Sequence, residues 1–149
     1  MLYAGTSNPI PRKAWREDAL DISVQSLEGN EQQIRAHFSK PAVQNIGSTS
    51  CCGCDFPNAM FQNGGWPEIE YSERDEEQSQ SDQFNREALV KLLRTIDEDW
   101  IELYGIWAGD CMETPVVREE VFAQNLLDLH FYFKERGFYK VVLRAAGLR

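Results

Sequence analysis

The sequence predicts an α+β domain: a largely antiparallel or mixed sheet packed in two layers against one long helix and one or two short helices. Three observations carry this expectation. Phe84, Leu89, Leu92, Leu93 and Ile96 fall on one face at helical spacing. Several short runs either alternate apolar with polar residues or concentrate β-branched and aromatic ones, as strands do. The strands do not alternate with helices regularly enough for a doubly wound sheet. At 149 residues, 42% of them apolar, the chain suits a single domain over 1–149 that buries about 68–70% of its unfolded surface.

Taken in order, Leu2 to Thr6 is a short apolar strand ended by Gly5 and the Ser7-Asn8-Pro9 turn cluster. Pro9 and Pro11 keep the following residues out of helix, and Trp15 is expected to plug the core from the side. Leu20, Ile22 and Val24 alternate with Asp21, Ser23 and Gln25, which reads as a half-buried strand. Asn30 with Gln33 resembles a capping box, and Ile34 with Phe38 stands at i,i+4, so a helix is expected over about 31–39. Pro41 stops it. Ala42 to Thr49 then reads as a strand.

Turn residues dominate from Pro57 to Pro67. The stretch from Glu68 to Asp82 carries seven acids against one arginine with little to bury, so an acidic, mobile loop is expected at about 67–82. The amphipathic helix follows over about 83–98, with Arg86, Glu87, Lys91, Arg94 and Asp97 off its apolar face. Trp100 to Trp107 reads as a strand with Ile101, Leu103 and Trp107 on one side, ended by Ala108-Gly109-Asp110. A short strand fits Pro115 to Val117. Arg118 to Asp128 suits either a helix or an extended run, and the helix is expected from Phe122, Leu126 and Leu129. Two alternating runs, 129–133 and 138–144, joined by the turn from Lys134 to Gly137, predict a hairpin.

Net charge is −9. Nucleic-acid binding needs lysines and arginines to displace counterions, so that partner is disfavoured, as is an anionic membrane. A basic protein or peptide is the better match for such a field. No run of 18 or more apolar residues suggests a membrane span, and Met1 to Ser7 has no basic leader or continuous apolar segment. The expected compartment is therefore the cytoplasm, where thiols stay reduced.

The chemistry-bearing stretch is Asn45 to Phe56, which holds three of the four cysteines. In a tight turn at Gly53, Cys51 and Cys54 converge on one point; in an extended backbone, Cys52 and Cys54 share a face instead. Zinc is the cofactor half a motif of this kind could take. The remaining ligands would have to come from Cys111, His130 or His37, so Cys51, Cys52, Cys54, Cys111, His130 and His37 are candidates and none is assigned. Redox use of Cys51 and Cys54 meets an acidic neighbour, Asp55, which raises rather than lowers a thiol pKa. Nucleophilic cysteine chemistry would need His37 or His130 as base. Packing explains the same sulfurs, because cysteine behaves as a small hydrophobe. Asp110 with Glu113 could do acid–base work, and Trp66, Trp107 and Tyr104 could line a pocket or fill the core. No catalytic or cofactor-binding residue is assigned.

Leu2-Tyr3-Ala4-Gly5-Thr6, His37-Phe38-Ser39-Lys40-Pro41, Ile46-Gly47-Ser48, Cys52-Gly53-Cys54 with Phe56, and Glu102-Leu103-Tyr104 to Trp107-Ala108-Gly109-Asp110 occur in that order. On these segments the chain resembles a group of small, uncharacterised bacterial proteins, over residues 1 to about 110. The resemblance implies a bacterial cytosolic protein and carries no activity with it. Acidic charge, the acidic loop and the lack of an assembled catalytic set lead to the expectation of a non-enzymatic protein-binding or accessory domain, of immunity type by size and charge. The rival expectation is a metal-binding or thiol-redox protein using the turn from Cys51 to Cys54.

Overall fold

The computed structural model describes residues 1–51, 55–59, 76–106 and 109–144, with the backbone alone at position 59. In chain order its strands are β1 (Leu2–Thr6), β2 (Ser23–Ser26), β3 (Ala42–Gly47), β4 (Asn58–Ala59), β5 (Trp100–Gly105), β6 (Val117–Phe122), β7 (Phe133–Lys134) and β8 (Gly137–Val142). Six of them form one open mixed sheet in the order β2-β3-β1-β5-β8-β6, and β4 pairs with β7 in a separate two-residue parallel ladder. Every neighbour in the large sheet is antiparallel except β6, which runs parallel to β8. The molecule is α+β, as the sequence predicts.

The pleat sends alternate residues to opposite faces, and both faces are covered. On one, Leu2, Ala4, Val24, Ile46, Ile101, Leu103, Tyr139 and Val141 meet Leu89, Val90 and Leu93 of α1 (Glu76–Leu93). Those three helix residues are essentially buried, and each contributes about 1.5–3 kcal/mol of transfer free energy. On the other face, Tyr3, Val43, Tyr104 and Phe138 are roofed by Ile34 and Phe38, from a 3-10 helix spanning Gly29–His37 and the residue after it. Gly5 is a glycine because a Cβ there would collide with the Phe38 ring.

Several expectations need correction. The turn over 29–37 is a 3-10 helix, and its first turn is closed by Glu31, whose carboxylate accepts from the Glu28 backbone N–H at 3.0 Å, rather than by Asn30 with Gln33. β2 starts at Ser23, and Leu20 is 75% exposed. α1 begins at Glu76, so the acidic run is helical from 76 to 82, and the helix ends at Leu93 rather than 98. Positions 67–75 of the acidic loop expected at about 67–82 lie outside the described residues, as do Trp66 and Trp107. Phe84 is 51% exposed while Asp82, Asn85 and Arg86 face inward.

Residues 118–122 are strand, followed by a 3-10 turn over Ala123–Leu127, because Val117, Glu119 and Val121 alternate with exposed Arg118, Glu120 and Phe122 beside β8. The 129–133 and 138–144 runs do not form a hairpin. β8 prefers two long partners, β5 and β6, while Phe131 and Phe133 pack edge-on against the Tyr139 ring.

Candidate functional site

The cysteine turn leaves β3 at Gly47. A Cβ on Gly47 would press into Ser23 Oγ and the Cys51 carbonyl oxygen, so the turn closes directly on the strand behind it. Buried Ser48 starts the turn. The Cys51 N–H donates to the Ser48 carbonyl at 3.1 Å, and the Ser50 N–H donates to Ser48 Oγ at 3.3 Å. Cys51 itself is exposed and has φ of 91°, a left-handed conformation that non-glycine residues adopt only under constraint.

The constraint comes from α1. Asn85 is completely buried, and its Oδ1 accepts from the Thr49 N–H at 2.9 Å and the Thr49 hydroxyl at 3.0 Å. Its Nδ2 donates to the Asp55 carbonyl at 3.2 Å and to the Ser81 carbonyl at 3.0 Å. One side chain thus holds the chain on both sides of residues 52–54. Trp15 helps, donating its indole N–H to the Thr49 carbonyl at 3.1 Å, and Ser48 Oγ reaches the Asp55 carboxylate at 3.4 Å.

Beside Asn85, Gln78 donates to buried Asp82 at 2.9 Å, and Arg86 donates through one guanidinium nitrogen to the Leu129 and Phe131 carbonyls at 3.3 and 2.9 Å. The inward face of the helix is therefore polar for two turns before it becomes apolar at Leu89. A polar group replaces core most readily where its hydrogen bonds are supplied. Remote main chain serves Asn85 and one nitrogen of Arg86, and Gln78 of the same helix serves Asp82, while Nε and Nη1 of Arg86 are buried without a hydrogen-bond partner among the described residues.

The other sequence candidates are dispersed. Cys52 and Cys54 lie outside the described residues. Cys111 is buried on the opposite face of the sheet, its sulfur 4.0 Å from the Tyr3 hydroxyl. Burial, with Glu31 and Cys111 alongside, pushes the Tyr3 phenol far above its ordinary value. His37 lies within 3.1 Å of the Cys111 backbone carbonyl through Nε2 and meets the Tyr104 ring edge-on. It therefore touches the main chain of that cysteine, not its sulfur. His130 is exposed in the loop after the 3-10 turn over Ala123–Leu127. Among the described residues no group of three or more His, Cys, Asp or Glu side chains is placed to hold a metal.

Asp110 and Glu113 form a main-chain turn, the Glu113 N–H donating to the Asp110 carbonyl at 2.9 Å, and Glu113 pairs with Arg136 at 3.3 Å. Tyr104 is core: it is fully buried, donates to the Glu113 carbonyl at 2.7 Å, and burial pushes its phenol up to about 12 against the pull of Arg136.

Sequence reasoning missed a second anchor, on the face away from the helix. Glu102 on β5 accepts from the Ser39 hydroxyl at 2.6 Å and from the Ser39 and Lys40 N–H groups at 3.0 Å each. After His37 ends the 3-10 helix, the Phe38-Ser39-Lys40-Pro41 stretch is thus a loop tied down by a carboxylate. Next to it, Lys40 pairs with Glu98 at 2.9 Å and lies over the Trp100 ring.

At the far edge, β6 has one neighbour, β8, and its outer side pairs with no strand among the described residues. Exposed Val116 and Phe122 flank it, while Glu119 and Glu120 form ion pairs with Lys134 and Lys140. No helix among the described residues is long and apolar enough to cross a membrane. No protein-family model, curated protein or solved structure matches the chain.

Proposed function

We propose that the protein is a non-enzymatic bacterial protein-binding or accessory domain of the immunity type, working in the cytoplasm on a basic protein or peptide. The observation that carries this reading is the outer edge of β6, which pairs with no strand among the described residues and carries exposed Val116 and Phe122 at its two ends. An open strand edge offers a row of main-chain donors and acceptors, and strand addition is a common way to seat a partner. The net charge of −9 supplies the attraction for a basic one. Capture from the native host should return a stoichiometric partner whose binding weakens with salt and protects the amides of 117–122 from hydrogen exchange. The double variant Val116→Glu with Phe122→Glu, which alters only exposed side chains, should lose that partner and keep its fold. A clean blank at low salt would defeat the reading.

A second reading, a metal-binding or thiol-redox protein using the turn from Cys51 to Cys54, draws on the exposed, strained Cys51. Elemental analysis with thiol titration separates the two. Zinc or iron at one equivalent supports the metal site. Four reactive thiols after denaturation, with no bound metal, leave packing or redox use.

A further inference from the structure

At the opposite edge of the sheet from β6, a surface groove of about 630 Å³ runs past the end of β2 and β3. Its size is that of an ordinary ligand site. Pro9, Ile10, Pro11, Pro41 and Val43 give it apolar walls, and its charged lining is Arg12 and Arg35, with no carboxylate among the described residues that line it. That sign is opposite to the net charge of the molecule, −9.

The groove is also rigid. Gln44 clamps the Ile10 backbone from both sides, its Oε1 accepting from the Ile10 N–H at 2.7 Å and its Nε2 donating to the Ile10 carbonyl at 2.8 Å. Three prolines fix the wall backbone, so little conformational freedom remains to be lost on binding. Arg35 is oriented by Gln32 at 2.9 Å and by the Pro41 carbonyl at 3.3 Å. Arg12 is exposed and makes no hydrogen bond or ion pair with the described residues.

A ligand here could also use main chain. The outer side of β2 is closed at Val24, which exchanges hydrogen bonds of 3.0 and 2.9 Å with Lys13. Two residues further on, Ser26 presents the same outer side to the groove and has no main-chain partner there among the described residues. The shape is an open channel beside a strand end, suited to an extended chain.

We propose that this groove binds an acidic, extended peptide segment of a partner protein, with two of its carboxylates held by Arg12 and Arg35. The ligand and the site are separate from the β6 edge, so this inference stands or falls independently of the strand-addition reading. The test uses the full chain on a synthetic array of hexapeptides of random composition. Retained spots should be enriched in Asp and Glu. Affinity for a retained, fluorescently labelled peptide should fall about tenfold in Arg12→Glu and again in Arg35→Gln, the loss expected for removing a charge-assisted contact. Arg12 makes no hydrogen bond or ion pair with the described residues, so Arg12→Glu should unfold at the wild-type temperature. Spots no richer in acidic residues than the array, or unchanged affinity in the double variant, would overturn the proposal. Displacement by free glutamate or citrate at the peptide's own concentration would also overturn it, assigning the arginines to a small acid instead.

Discussion

The two faces of the sheet solve one problem with different chemistry. On the helix face, neutral Asn85 holds Thr49 and Asp55 together through both ends of its amide. On the other face, Glu102 gathers Ser39 and Lys40 using acceptors alone. In each case one side chain, at most 6% exposed, satisfies the main chain of a loop that has no strand or helix partner of its own. An amide can bridge a donor on one segment to an acceptor on another; a carboxylate can only collect donors. The amide is therefore found where two separate stretches must be joined, and the carboxylate where one tight loop turns its N–H groups inward.

Substitutions can break this comparison, and the largest effect should come from Asn85→Leu. It strands donors and acceptors on Thr49 and Asp55 inside the protein, and urea unfolding should register a loss of about 3 kcal/mol. A loss under 1 kcal/mol would mean that the turn does not depend on the helix. Glu102→Ala should cost about 1.5–3 kcal/mol, the range for hydrogen bonds to a charged group. Glu102→Gln should cost less, since its amide oxygen can keep the two N–H donors and its NH₂ can donate to the Ser39 hydroxyl. If Gln and Ala prove equal, charge rather than hydrogen bonding anchors the loop.

Smaller effects sharpen the contrast. Cys51→Gly removes a side chain from a φ of 91°, and thermal unfolding should show a gain of about 0.5–1 kcal/mol after glycine's own entropy cost. Destabilisation would show that the sulfur packs usefully.

The least effect should come from Glu98. Burial alone would raise its carboxyl, but hydrogen bonds from Lys40 and Ser7 outweigh that and hold it below the ordinary value in the folded protein. The stability this gives is complete above the unfolded carboxylate value of about 4.3 and is lost as pH falls through the lower, folded value. Wild type should therefore exceed Glu98→Gln at pH 7, and the gap should close in acid. A gap independent of pH would remove Glu98 from the account.

Much of this was legible in sequence. β1, β3 and β5 announce themselves through runs that are apolar by position, and the turn that ends β3 before Cys51 is marked by Gly47 and the serines and threonine that follow it. What holds that turn was harder to see, although a signal existed. Asp82, Asn85, Leu89 and Leu93 continue one helical stripe, so the period of the apolar face runs back into polar residues. Reading hydrophobicity alone ends the helix at 83 and puts Phe84 inside. Following the period would have placed Asn85 inward and Phe84 outward, as they are.

By itself, then, the sequence determined the class of fold, the acidic character and the local identity of most strands, because each follows from side chains within a few residues of one another. Only the tertiary structure decided that β8 lies between β5 and β6 and that 118–122 is strand, since an extended segment gains its hydrogen bonds from whichever partner folding brings alongside. The partners that Asn85 and Arg86 meet on the inward face, the main chain of Thr49, Asp55, Leu129 and Phe131, were decided in the same way. The helical period turns such a side chain inward, but no local pattern records which distant main chain will be there to meet it.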